Sequence, residues 1–147
     1  MTPVVYGPDS EANRVVGDLV SRIIWGKPGC FSDFCSMGVV HNGELVAGTV
    51  YNNWNEDHGV IELSSGTTTP RWLTRPVVQT MFRVPFDMIG ARLCVLRVSE
   101  HNTRMREIAI RFGFDETIIP RVRADNEAEC VYTLSKDDWR NHKIGRK

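Results

Sequence analysis

Apolar residues recur along this chain with two different periods, and the changes of period mark out its elements. A short apolar run, Val4–Tyr6, reads as a first strand. Beyond it Val15, Val16, Leu19, Val20, Ile23 and Ile24 fall as adjacent pairs at helical spacing. Asp9 or Ser10 can cap that helix, and Gly26-Lys-Pro-Gly29 ends it. Residues Cys30–Ser36 carry no clear period, and a helical turn lining a cleft is one reading of them. Gly38–His41 and Glu44–Tyr51 flank Asn42-Gly43, the strongest short hairpin signal, because a tight two-residue turn needs positive φ at both positions. A second turn, Asn52–Gly59, leads into Val60–Ser65, so strands two to four form an antiparallel meander.

The period then lengthens. Gly66–Arg75 is a polar loop, and Pro76–Gly90 carries Val77, Val78, Met81, Phe82, Phe86 and Ile89 at helical spacing. Pro76 suits a first helical turn, whereas Pro85 should kink the helix or end its regular part. Leu93–Val98 is the next strand; strand, helix and strand make a βαβ unit, which predicts that strands four and five run parallel. Met105, Ile108, Ala109 and Phe112 then form one apolar stripe. Arg104, Arg106, Glu107 and Arg111 take the other face, with Glu107 four residues before Arg111 for an ion pair, and Gly113 is the stop. Phe114–Val122 and Glu129–Leu134 read as a closing hairpin, and Ser135 caps a terminal turn holding Trp139. The predicted order is β-α-βββ-α-β-α-ββ, an α/β (α+β) mixed sheet of six to seven strands in one domain over 1–147, with residues 140–147 as a basic, frayed tail.

Composition changes this picture little. Lys+Arg and Asp+Glu are equal at 18 each, so net charge argues neither for nor against nucleic acid. No apolar run approaches a membrane span, and no signal-peptide pattern is present at the start of the chain. Cys30, Cys35, Cys94 and Cys130 include no C-x-x-C pair; Cys94 and Cys130 sit in apolar runs, where a thiol behaves as a small hydrophobe. A reduced, cytoplasmic protein without a metal is the expectation.

The strand-polar-helix junction at Leu93–Phe114 suits a phosphate-bearing ligand. With Asn102 eleven residues before Gly113-Phe114, the element order resembles the GCN5-related N-acetyltransferases, over roughly Gly38–Leu134. It looks most like short acetyltransferase-like proteins of bacteriophages, which read W-L-T-R, PF, G, N and GF as here at Trp72–Arg75, Pro85-Phe86, Gly90, Asn102 and Gly113-Phe114. The resemblance implies that strands four and five splay to admit the pantetheine arm of acetyl-CoA, paired along the edge of Leu63–Gly66, with Leu63 and Ser65 in contact. It implies a pyrophosphate site on the loop before the Pro76 helix, at Arg71, Trp72, Leu73, Thr74 and Arg75, with Asn102 and Arg104 facing it. Two departures stand out. Leu73 and Arg75 occupy positions where the family's loop carries glycines. Ala109 stands seven residues after Asn102, where many relatives carry the tyrosine that protonates the leaving thiolate.

Glu62 is the candidate base, since an amine is mostly protonated at neutral pH and must lose a proton before attack. A structural pairing of Glu62 with an arginine is the competing reading. Strand alternation sets Val60, Glu62 and Ser64 on one face and Ile61, Leu63 and Ser65 on the other. Ser64 would position substrate or CoA, and the proton donor would be Tyr132, a water, or none, since a CoA thiolate is a tolerable leaving group. Asn102 reads either as a cofactor contact or as a helix-start residue. Trp25, Trp54 and Trp72 are expected in the core or lining a cleft. The implied activity is acetyl transfer from acetyl-CoA to an amine by direct attack, the acceptor being unreadable and a homodimer compatible with the chain. Two other classes remain: a non-catalytic protein of this fold that binds a host or phage partner, and a Mom-like enzyme modifying a DNA base, which the acidic loop Asp125–Glu129 argues against.

Overall fold

The computed structural model describes residues 1–145. Seven strands form one sheet in the order β1-β2-β3-β4-β5-β7-β6. They are β1 (Thr2–Tyr6), β2 (Cys35–His41), β3 (Glu44–Asn55), β4 (Val60–Thr67), β5 (Leu93–Ser99), β6 (Asp115–Ala124) and β7 (Glu127–Ser135). The helices are α1 (Glu11–Trp25), α2 (Arg75–Arg83), α3 (Thr103–Arg111) and α4 (Lys136–Asn141). Among the described residues only β4 and β5 pair in parallel. The predicted order and meander stand, and the sheet of six to seven strands has seven. The β2–β3 turn has Asn42 and Gly43 both at positive φ, as the tight hairpin requires. No described helix is long and apolar enough to cross a membrane.

Alternation divides the sheet into two unlike faces. On one, Tyr51, Ile61, Leu63, Cys94, Leu96, Val98, Cys130, Tyr132 and Leu134 join Val77, Val78, Phe82 and Phe86 in the main core. The other face carries α1, whose Val16 and Val20 pack with Val50. Directly opposite one another across β2, β3 and β4 stand Gly38, Gly48 and Gly66. A Cβ on Gly48 would lie 2.6 Å from the Val16 side chain, and one on Gly66 would lie 3.1 Å from Ile23. This bare strip lets α1 lie low on the sheet. It also sets the end of the helix, Ile23, Ile24 and Trp25, beside the far half of β4. Those three residues are 41–51% exposed, although Ile23 and Ile24 belong to the predicted apolar stripe. They form a wall rather than core.

Ser10 caps α1 by accepting from Asn13 N, and Gly26 ends it in the left-handed conformation. Pro85 ends the regular part of α2, which continues as a π-helical turn, Val84–Ile89. Cys30–Phe34 is irregular rather than helical. The expected Glu107–Arg111 pair does not close among the described residues; Arg106 instead reaches Glu116 at 3.4 Å. At the basic end, Arg140 and Asn141 finish α4, and Gln79 Nε2 donates to the Ile144 carbonyl at 3.2 Å. Arg146 and Lys147 of that predicted tail lie outside the described residues.

Candidate active site

Strands β4 and β5 stay paired for three residues, Val60–Glu62 against Leu93–Val95, and then part. Beyond that point β5 follows β7, register Arg97↔Val131 and Ser99↔Glu129, while β4 follows β3. Backbone N–H and C=O groups on the β5 side of β4 therefore lose their ladder partners from Leu63 on, and a buried backbone group without a partner is rare. The opening is a cleft of about 340 Å³, walled by Leu63, Ser64 and Ser65 on one side and Leu96 to Ser99 on the other. Asn102, Met105 and Ile24 border it as well.

On the α1 face this opening broadens into a second cleft of about 400 Å³ that holds Glu62, Ser64, Asn52, Asn53, Trp25, Phe31, Arg97, Arg123 and Glu129. Glu62 is held by a bulge: Asn53 takes φ +53 where the β3–β4 register slips, and its Nδ2 donates to Glu62 Oε2 at 2.6 Å. A bulge that re-aims a side chain beside a cleft is a common device. Asn52 Oδ1 is buried there with no hydrogen-bond partner. No arginine pairs with Glu62 within ion-pair distance among the described residues. Arg97 instead donates through Nε and Nη2 to Glu129 Oε2 at 3.0 and 2.9 Å, and Arg123 Nη2 meets Glu129 Oε1 at 3.3 Å. That hydrogen bond to Glu129, with the negative charges of Glu129 and Glu62, raises the Arg97 pKa.

Toward α2 the floor of the opening narrows among Leu63, Ser65, Trp72, Leu73, Leu96, Met105 and Ala109. It opens again between the Arg71–Leu73 loop and α3, where Arg71, Arg104 and Arg111 gather. In this loop Arg71 alone has positive φ, +61, so Leu73 and Arg75 adopt backbones that ask for no glycine. Thr74 opens α2 without a side-chain cap, and its hydroxyl is buried without a partner. With Pro76 lacking an N–H, the N–H groups of Arg75 and Val77 remain without helical acceptors.

Most of the residues singled out in the sequence therefore meet along one opening: Glu62 and Ser64 at the α1 face, Leu63, Ser65 and Asn102 in the middle, and Arg71, Trp72, Leu73 and Arg104 at the far end. Asn102 caps α3 as well, accepting from Met105 N at 3.2 Å. Ser65 shares a hydrogen bond with Thr49. Two residues are turned elsewhere. Arg75 Nη2 donates to the Lys143 carbonyl at 3.4 Å. Tyr132, opposite Leu96 on β7, lies on the core face, the opposite face from Glu62, and is fully buried. Its hydroxyl donates to Glu116 and accepts from Arg106 Nε at 3.1 Å. Burial, followed by the Glu116 contact, pushes its pKa up to about 12. Trp25 lines the cleft, Trp72 is buried and Trp54 is exposed. Sequence reasoning placed Asn52–Gly59 on the acceptor side without singling out Asn52 or Asn53, and missed Arg97 and Glu129. A usable signal existed for Arg97, which interrupts the apolar alternation Cys94, Leu96, Val98 and so must face the other way.

No protein-family model matches this sequence, nor does any curated protein. Solved structures do match in shape. A spermidine/spermine N-acetyltransferase from Vibrio cholerae, in mutant form, superposes with TM-score 0.71 at 13% identity over 95% of this chain and 97% of that one. A probable acetyltransferase gives TM-score 0.62 at 15% identity over 74% of this chain, and a ribosomal-protein alanine acetyltransferase from Vibrio fischeri gives 0.61 at 12% over 72%. The chain spans 64% and 63% of the length of these last two. At such identities the likeness lies in backbone architecture. The chain has the fold of the GCN5-related N-acetyltransferases.

Proposed function

We propose that this protein is an acyl-CoA-dependent N-acyltransferase that moves an acetyl group from acetyl-CoA to an amine by direct attack. The observation that carries the reading is the parting of β4 from β5 immediately after Glu62, which joins a polar, carboxylate-bearing cleft to a narrow slot with an arginine-rich far end. The chemistry matches that order. An extended amide-bearing arm satisfies the unpaired edge of β4 at Leu63 to Ser65 as an added strand would. Diphosphate suits the free N–H groups at the start of α2, the unpartnered Thr74 hydroxyl and the guanidiniums of Arg71 and Arg104. Here the loop relies on side-chain charge where relatives use glycine.

In the proposed reaction Glu62 takes one proton from the incoming ammonium, and Asn53 holds the carboxylate in place. The freed amine nitrogen forms a bond to the thioester carbonyl carbon. An unpaired β4 N–H stabilises the charge that develops on the carbonyl oxygen. The carbon–sulfur bond then breaks, the sulfur leaves with the electron pair as CoA thiolate, and the second amine proton passes to it through water. Tyr132 has no part in this sequence, because its hydroxyl is committed on the other face of the sheet.

Thermal denaturation with and without acetyl-CoA tests the reading. A ligand at about 100 times its dissociation constant stabilises by roughly 2.7 kcal/mol. A clear upward shift is expected. Absence of any shift with acetyl-CoA, propionyl-CoA or free CoA would sink the enzyme reading in favour of a non-catalytic binding protein. Duplex-DNA binding that weakens steeply with salt would instead favour the base-modifying alternative.

A further inference from the structure

Resting on the acyl-transfer reading above, we infer that the acceptor is an amine that also carries a carboxylate, a zwitterionic amino acid with an apolar side chain rather than a polyamine. The cleft beside β4 has two unlike ends. At one, Glu62 stands with Asn53 on its Oε2, beside Asn52 Oδ1, a buried acceptor that nothing in the described structure satisfies. That pair of oxygens asks for N–H donors, which an ammonium supplies in threes. At the other end, Glu129 is only 5% exposed, and its two oxygens are taken up by Arg97 and Arg123.

Glu129 acts as a peg behind two guanidiniums whose side chains remain 50% and 36% exposed. Each guanidinium carries five N–H donors. Arg97 uses Nε and Nη2 on Glu129, and Arg123 donates Nη2 to the Arg97 carbonyl while standing in ion-pair contact with Glu129. Donors are left over on both, held in position beforehand, which is the arrangement that favours a planar carboxylate. The two carboxylates and two guanidiniums cancel in net charge but not in position. A molecule with an ammonium at one end and a carboxylate at the other lies along that dipole in the favourable sense. A polyamine finds only Glu62 for its several charges and sets a second cation toward Arg97. Trp25, Phe31, Ile24 and Val122 complete the lining with apolar surface, which suits an apolar side chain between the two poles.

The test compares L-phenylalanine, phenethylamine and spermidine as acceptors, with CoA release as the readout and acetyl-CoA binding measured separately by thermal shift. Phenylalanine and phenethylamine differ only in the carboxylate. The expected result is a kcat/KM at least about tenfold higher for phenylalanine, the value of one charge-assisted contact, with spermidine lowest. Arg123→Gln, which leaves Arg97 on Glu129, should lower the phenylalanine-to-phenethylamine ratio several-fold. That ratio is insensitive to a general loss of folded enzyme. Equal or better turnover of phenethylamine or spermidine, or a ratio unmoved by Arg123→Gln, overturns the inference and leaves acyl transfer standing. Failure of acetyl-CoA to bind overturns the parent reading, and the inference with it.

Discussion

Two clusters of carboxylate and arginine stand on opposite faces of the same strands, built from similar parts and put to different uses. On the core face Tyr132 lies buried between Glu116 of β6 and Arg106 of α3, whose own side chains remain 28% exposed at the edge of a separate surface cleft. On the α1 face Glu129 lies behind Arg97 and Arg123, and the guanidiniums look out into an open cleft that Glu62 shares. In the first, the hydroxyl, the carboxylate and the guanidinium engage one another, so the group fixes β6 and α3 to β7. In the second, donors are left over, Asn52 Oδ1 is unsatisfied, and a bulge spends regular pairing to hold one carboxylate. The difference teaches that identity of residues is a poor guide to function in this chain. What separates a structural cluster from a chemical one is the supply of hydrogen-bonding groups that the fold leaves unmet.

The largest effect expected of this contrast is on turnover. Glu62→Gln preserves the Asn53 contact and the shape of the cleft but removes the proton acceptor, and general-base catalysis is worth roughly 10²–10⁴ in rate. Turnover should fall at least about a hundredfold while the thermal shift with acetyl-CoA is retained. Undiminished turnover would remove Glu62 from the mechanism and erase the functional side of the comparison. Tyr132→Phe is the mirror experiment. It deletes a buried hydroxyl and leaves Glu116 and Arg106 to each other, so stability should fall by about 1–2 kcal/mol with turnover of the folded protein little changed. A large loss of turnover without loss of stability would place Tyr132 in the chemistry after all.

The same tyrosine gives the comparison a pH signature. Its pKa lies at about 12 in the fold against about 10 for the free phenol, so the unfolded chain ionises first. Its contribution is whole below pH 10 and is lost as pH rises toward 12. Burial also raises the Tyr51 and Cys94 pKa values, which adds to the alkaline loss in the same direction. Equilibrium unfolding followed from pH 8 to 12 should show a steady decline, shallower in Tyr132→Phe. An unchanged slope in that variant would mean that the Tyr132 cluster does not govern alkaline stability.

Local physics made much of this architecture legible before any coordinates. Asn42-Gly43 specified its turn, Pro85 the end of α2, and Met105–Phe112 the core-facing stripe of α3, half-buried but for the buried Ala109, because each depends on neighbours within a few residues. The α1 stripe misled, since Ile23 sits over Gly66, at the end of the glycine strip, and it and Ile24 stand at the rim of the cleft, 41% and 42% exposed. The placement of Tyr132 was beyond local reading. It depends on the register Leu96↔Tyr132, set between strands more than thirty residues apart, and a one-residue slip would have turned it to the other face. Asn53 was hidden for a related reason: it falls within the segment read as the turn Asn52–Gly59, and a bulge that carries β3 on to Asn55 leaves little trace in composition.

The smallest effect concerns the far end of the opening, where the loop carries Leu73 and Arg75 in place of glycine. With the backbone at those two positions in ordinary conformations, the charge for a phosphate-bearing ligand falls to exposed side chains, Arg71 and Arg104 above all. Contacts of this kind are screened by salt and individually modest. Arg104→Ala should weaken acetyl-CoA binding about three- to tenfold at low ionic strength and less at 0.5 M salt, read as the displacement of a thermal-shift titration. Free pantetheine, which lacks the phosphates, should be indifferent to the substitution. If Arg104→Ala weakens both ligands alike, the arginine acts by holding α3 against the loop rather than by meeting phosphate, and the far end would join the structural side of the comparison.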